Sequence, residues 1–356
     1  MQSLVMVVGD GVAGEGVDLR HFRAAAGPIV DVRSPSEFAQ GHWPGSVNIP
    51  LFNDDQRAEV GLTYKEEGRL AATQLGLAAI GPQLADLADA LRCAAGADGQ
   101  LRLYCWRGGL RSNSVAWLAR LVDLNPTLLD GGYKSYRRWV LASFEEPWPL
   151  RLLGGRTGTG KTDLLLALAQ REVAVVDLEG LAHHRGSSFG GLGLPEQPST
   201  EHYENRLAEA LDLARHQGAD QIWLEAESAQ VGRCRIPNAL FRQMQSAPVL
   251  EIRRNLEERV AQLVTVYGSQ GRELLLAATE RISRRLGPQR TKEAIDAIQE
   301  QDWARACRAM LDYYDRCYDH ELARSPARQS VDLDGLSADQ AADALLHRQL
   351  IEPRQR

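Results

Sequence analysis

Two short stretches of this chain combine residue types that could carry covalent and phosphate chemistry. The first is Cys105-Trp-Arg-Gly-Gly-Leu-Arg111-Ser112, a thiol followed by five residues and an arginine. An apolar run at 101–104 leads straight into Cys105, and a helical pattern begins at Arg111. A loop so placed wraps its backbone N–H groups around the sulfur, and the following helix adds its positive end. Both favour thiolate, the nucleophilic form of cysteine. Arg107 and Arg111 would add positive charge and could grip an anionic donor. The plain alternative is an inert cysteine buried at a strand end, because this spacing also arises by chance.

The second stretch is Gly155-Arg-Thr-Gly-Thr-Gly-Lys161-Thr162, which satisfies G-x-x-x-x-G-K-[ST] in full. It follows an apolar strand pattern and opens a helix, the context that a phosphate-binding loop requires. Gly155, Gly158 and Gly160 let the loop turn tightly, so its amides converge on phosphate oxygens. Lys161 supplies a point charge, and Thr162 can ligate Mg2+. Asp177 and Glu225 each end an apolar run, and either could hold Mg2+ or its waters or simply cap a loop. His184 and Arg185 follow Asp177 in a loop of small and polar groups, at a strand end where doubly wound folds keep ligands. His183 reads as a solvated loop histidine. Phe189, Leu192 and Leu194 could line an apolar groove or belong to the core.

The elements that must position these residues alternate strand and helix in both halves, which implies an α/β fold with mostly parallel sheets. Strand patterns occur at 28–32, 101–104, 150–153, 173–176, 221–224 and 249–252, with a last one at 330–334. Ser34-Pro35 marks a helix start, and further helices are expected at 81–91, 111–121 and 161–170. The pattern from 255 to about 324 is largely helical. Two prolines and two acids interrupt the chain at 144–149, so domains are expected at 1–140 and 141–356, the second with a helical C-terminal part.

The chain has 356 residues, 44% hydrophobic and 25% charged, which is an ordinary globular composition and suits two domains. No apolar stretch is long enough to cross a bilayer, and the N-terminus carries no secretory pattern, so the cytoplasm and no membrane partner are expected. The five cysteines form no C-x-x-C pair and no ligand spacing with histidine, so reduced thiols and no permanent metal site are expected. A net charge of −6 excludes a uniformly basic surface, but a local patch can still bind a polyanion. Residues 281–292 contain Arg281, Arg284, Arg285, Arg290 and Lys292 with no acid among them, and Arg137 and Arg138 sit near the domain junction. These are the candidate RNA contacts. A solvated helix face or a phosphate-covering lid would explain the 281–292 run equally well.

Asp31-Val-Arg-Ser-Pro-Ser-Glu-Phe38, then Gly41-His-Trp-Pro-Gly-Ser-Val-Asn-Ile-Pro50 and the Cys105 loop, resemble the rhodanese family in order and spacing. That resemblance implies a selenium or sulfur adduct on Cys105, with Asp31, Glu37 and His42 in structural roles. Leu129-Asp-Gly-Gly-Tyr-Lys-Ser-Tyr-Arg137 and Asp177-Leu-Glu-Gly-Leu-Ala-His-His-Arg-Gly-Ser-Ser-Phe-Gly190 narrow it further. With the P-loop, they look like the tRNA 2-selenouridine synthases, a rhodanese-like parallel-sheet domain followed by a P-loop NTPase-like α/β domain. Departures are slight: Ala226 stands where an acid is expected, and Arg156 precedes the Thr-Gly of the loop.

The resemblance implies conversion of wobble 2-thiouridine in tRNA to 2-selenouridine through S-geranyl-2-thiouridine. Geranyl diphosphate and selenophosphate would be the substrates, the latter coming from a selenophosphate-producing enzyme, and Mg2+ could assist. Two other functions fit the residues. One is an ATP-dependent tRNA sulfurtransferase, and the other is a nucleotide-gated RNA-binding module without turnover.

Overall fold

Each apolar run that leads into a glycine-rich loop forms a parallel strand in the computed structural model, which describes residues 16–322 and 327–354. The chain divides into two compact units, Met1–Ala142 and Ser143–Arg356.

In chain order the first unit contains α1 (Leu19–Ala24), β1 (Ile29–Asp31), α2 (Pro35–Gln40), β2 (Val47–Asn48), α3 (Asp54–Glu66), α4 (Arg69–Ile80), α5 (Leu84–Ala95), β3 (Gln100–Tyr104), α6 (Leu110–Leu121), β4 (Asn125–Leu128) and α7 (Gly132–Ser143). Its four strands run parallel in the order β2-β1-β3-β4. Val30, Leu101, Leu103, Val115 and Leu91 are fully buried between the sheet and its helices. Helix α2 begins as its sequence demands. Pro35 takes the first helical position, where no N–H is needed, and Glu37 accepts the Ser34 N–H at 3.2 Å. Helices α3 and α4 have no counterpart in the sequence pattern. Helix α3 buries no side chain completely, so no apolar stripe announces it.

The second unit contains β5 (Leu150–Gly154), α8 (Lys161–Ala169), α9 (Leu178–Ala182), α10 (Thr200–His216), β6 (Ile222–Glu225), the hairpin β7 (Gln230–Val231) and β8 (Cys234–Arg235), α11 (Asn238–Ser246) and β9 (Val249–Arg253). It continues through α12 (Leu256–Tyr267), α13 (Arg272–Arg281), α14 (Ser283–Leu286), α15 (Pro288–Gln299), α16 (Trp303–Leu322), β10 (Arg328–Asp332) and α17 (Ala338–His347). The main sheet is parallel in the order β10-β9-β5-β6. One core packs α8 and α17 on this sheet, and a second gathers α13, α15 and α16 around Phe189.

The expected strand at 173–176 is a correction. Only Val175 bridges, to Trp223, with Val176 N–H and Ala174 C=O also bonded to that residue. The segment is too short a pairing to form a ladder before Asp177 turns it into α9.

Candidate active sites

Cys105 follows β3 directly and is buried, 3% exposed. Its loop is held from below by the turn that starts α7. Tyr133 N–H donates to Cys105 C=O at 2.8 Å, and Lys134 N–H donates to Trp106 C=O at 3.0 Å. Gly132, at φ +57°, makes this approach possible, because a Cβ there would lie 2.3 Å from the Cys105 carbonyl oxygen. The sulfur lies 3.2 Å from Ser112 Oγ, which also reaches Gly109 C=O at 3.1 Å. A single hydroxyl proton serves one of these two acceptors at a time. On ionisation of Cys105 it can swing to the thiolate, while α6 points its N-terminus at the loop.

The two loop arginines separate. Arg107 is exposed, whereas Arg111 is paired with Glu37 by contacts of 2.6 and 3.3 Å. Arg111 thereby ties α6 to α2, and of the two only Arg107 is exposed. This pairing, together with the Ser34 N–H, holds the Glu37 carboxyl below its usual range, against the opposing effect of burial. Asp31 forms a buried ion pair with Arg33, whose guanidinium lies 3.7 Å from the Tyr133 ring centre. His42 stacks on Phe38 at 3.7 Å. Arg137 is half-buried and Arg138 exposed on α7.

In the second unit, Gly155, Gly158 and Gly160 form the loop between β5 and α8. Gly158 has φ +83°, and a Cβ there would lie 2.7 Å from the Arg259 carbonyl oxygen, so α12 packs directly on the loop. Two arginines take the loop's carbonyls. Arg259 donates to Thr157 C=O at 2.9 Å and Arg254 to Thr159 C=O at 3.1 Å. Lys161 Nζ donates to Gly155 C=O at 2.9 Å. Burial works against the charge of Lys161, but Tyr318, Glu227 and Glu179 more than offset it, and the ammonium keeps its proton.

Thr162 Oγ1 donates to Glu179 Oε2 at 2.7 Å. Neither expected carboxylate fills that place. Asp177 caps α9 through the Gly180 N–H at 2.7 Å, and Glu225 is fully buried, accepting the Leu178 N–H at 2.9 Å. The helical turn begun by Asp177 carries Glu179 to the threonine instead. The run Asp-Leu-Glu contained that residue, but nothing in its spacing marked Glu179 over Asp177. Burial, with the Asp177 and Glu179 charges nearby, pushes the Glu225 carboxyl well above its ordinary range.

Lys161, Thr162, Glu179, Arg185 and Glu227 line an open cleft of about 430 Å³. Arg185 also donates to Leu192 C=O at 3.0 Å. His184 lies beneath this loop with its Nδ1 buried and its pKa lowered by burial, so its ring is neutral. His183 is not a solvated histidine. Its ring nitrogens lie 2.9 Å from Glu196 C=O and 2.9 Å from Arg206. Among the 281–292 residues, Arg285 lines the cleft, Arg281, Arg284 and Lys292 are exposed, and Arg290 pairs with Asp312.

A buried thiol in a braced strand–loop–helix, joined to a phosphate loop backed by helices, defines a rhodanese-like domain fused to a P-loop domain. Family models match in that order, a rhodanese-like domain over residues 18–138 and the tRNA 2-selenouridine synthase AAA domain over 148–345. Curated tRNA 2-selenouridine synthases are similar along most of their length. That of Marinobacter nauticus is 38% identical, covering 83% of this chain and 89% of its own. That of Bordetella petrii is 39% identical, covering 85% and 88%. The chain belongs to the tRNA 2-selenouridine synthase family.

Proposed function

We propose that this enzyme converts wobble 2-thiouridine in tRNA to 2-selenouridine through an S-geranyl intermediate, with geranyl diphosphate held at the P-loop and selenium delivered at Cys105. The family supports tRNA selenation. The observation that supports the geranyl step is a narrow apolar pocket opening from the phosphate cleft. The two share Thr157, Ser187, Leu263, Tyr267 and Tyr314 in their walls. Phe189, Trp303 and Met310 line the pocket further in. Of the apolar residues singled out in the sequence, Phe189 lines it, Leu192 packs on the same core, and Leu194 does neither. The pocket is about 60 Å³, so a prenyl tail enters only as flexible side chains such as Met310 give way.

In this reading the thiouridine sulfur attacks the prenyl carbon, and the carbon–oxygen bond breaks with its electrons leaving on diphosphate. Loop amides and Lys161 stabilise that developing charge. Mg2+ fits beside them, since Thr162 and Glu179 bring a hydroxyl and a carboxylate together and this ion takes its other ligands from water and phosphate. When bound it would supply further positive charge to the leaving group. Selenophosphate, from a selenophosphate-producing enzyme, would then be held at the Cys105 loop: its selenium attacks the uracil C2, geranyl thiol leaves with the electrons of the carbon–sulfur bond, and water takes up the phosphoryl group as phosphate.

The test is nucleoside mass spectrometry of thiolated tRNA incubated with geranyl diphosphate and selenophosphate in nucleotide-free buffer. Lys161→Ala should lose S-geranylation by tenfold or more, yet exchange selenium into tRNA that is already geranylated. Cys105→Ala should geranylate normally and incorporate no selenium. An absolute requirement for ATP, hydrolysed in step with product, would return the P-loop to the sulfurtransferase reading.

A further inference from the structure

The phosphate cleft has an aromatic wall that diphosphate binding does not use. Tyr313, Tyr314 and Tyr318 of α16, with Tyr267 of α12, line the cleft that also holds Lys161 and Thr162. Three of these rings already serve the protein. Tyr318 accepts the Gly155 N–H at 2.8 Å. The Tyr267 hydroxyl lies 3.2 Å from Ser187 Oγ. Tyr314 faces both the cleft and the apolar pocket. Tyr313 is half-buried, edge-on to Tyr314 with ring centres 5.3 Å apart.

Arg285 belongs to the same wall. It is exposed, and among the described residues its guanidinium has no hydrogen bond or ion pair. It is the member of the basic run that reaches the cleft, with Arg284 exposed beside it on α14 and Arg281 exposed at the end of α13. A polyanion lying along that run is therefore led to the mouth of the phosphate site.

We propose that Tyr313 and Arg285 seat the reacting nucleotide: the uracil ring of an unstacked anticodon base lies on Tyr313, and Arg285 takes an adjoining backbone phosphate. This rests on the function proposed above and says where the second reactant of the alkyl transfer sits. Chemistry on a base requires the base out of its stack. Single-stranded RNA bases are held on aromatic faces and guanidinium planes. Seating base and diphosphate in one cleft replaces a bimolecular encounter by a positioned one. An adenine joined to phosphates on the loop is the competing occupant of the same ring. The basic run decides against it, because a lone nucleotide has no backbone to lie along Arg281 and Arg284.

The experiment measures binding to the full-length wild type, Tyr313→Phe, Tyr313→Leu and Arg285→Ala. Its probes are an anticodon stem-loop bearing wobble 2-thiouridine, inorganic pyrophosphate and ADP. Tyr313→Leu should weaken stem-loop binding about tenfold, Tyr313→Phe should restore it, and pyrophosphate affinity should not move. Arg285→Ala should weaken the stem-loop and lower its salt slope by about one. Wild-type affinity for the stem-loop in Tyr313→Leu would overturn the proposal. So would losses confined to pyrophosphate or ADP, which would assign both residues to the donor. Wild-type protein that binds in the expected pattern but forms no S-geranyl nucleoside from geranyl diphosphate would refute the geranyl reading and leave the base seat standing.

Discussion

Glu225 shows how one buried group makes the stability of this protein depend on pH. Its side chain is fully buried, its Oε2 accepts the Leu178 N–H, and its carboxyl also hydrogen-bonds the Asp177 side chain. Burial raises its pKa well above 4.5, so between the unfolded and the folded pKa the folded protein retains a proton that the unfolded chain has released. Its contribution is therefore complete below the unfolded pKa and is lost as pH rises through the folded one. Glu225→Gln preserves an acceptor for the Leu178 N–H and has no proton to lose. Its melting temperature should exceed that of the wild type by a margin that widens from about pH 5 to about pH 8. An equal margin at both pH values would show that Glu225 does not titrate in this way.

At the scale of elements, α12 and α16 brace the phosphate loop from behind. The Arg259–Asp315 pair joins them with side chains only 4% and 17% exposed, and Arg259 also holds the Thr157 carbonyl. Its outward-facing bonds leave the loop amides to face the cleft. A second pair, Arg308–Glu257, joins the same two helices but is 45% and 70% exposed. Burial decides their relative weight. Arg259→Ala leaves the part-buried Asp315 carboxylate only its longer pair with Arg156 and strands the Thr157 carbonyl, and should cost about 1–3 kcal/mol. Arg308→Ala should cost less than about 1 kcal/mol. Chemical denaturation of both variants checks this, and equal losses would remove the special role given to Arg259.

At the scale of the whole molecule, each unit has an apolar cluster of its own. Leu91 is fully buried in the first unit and Leu165 in the second. Leu91→Ala and Leu165→Ala should each cost about 2–5 kcal/mol, and each should lower a different calorimetric transition. A single transition shifted by both would mean that the units unfold as one. The same division lets the thiol chemistry and the phosphate chemistry be tested separately, by variants such as Cys105→Ala and Lys161→Ala.

The sequence by itself determined the cysteine loop and the glycine-rich loop, their order and the parallel α/β character around them. Each signal is local: a glycine that must turn, a lysine at a helix start, a thiol where an apolar run ends. It also placed the helix start at Ser34 and Pro35, where capping is decided within one turn. Tertiary structure alone decided which charges meet. Arg111 finds Glu37 from 74 residues away, and Thr162 finds Glu179 rather than Asp177 or Glu225 because Asp177 is taken up in capping α9. The basic run was legible as charge, but only the packing of α13–α16 brings Arg285 to the phosphate cleft and leaves Arg290 paired with Asp312. Local conformation follows from neighbours along the chain. The partner of a charged side chain follows from which helices share a core, and no spacing in the sequence records that.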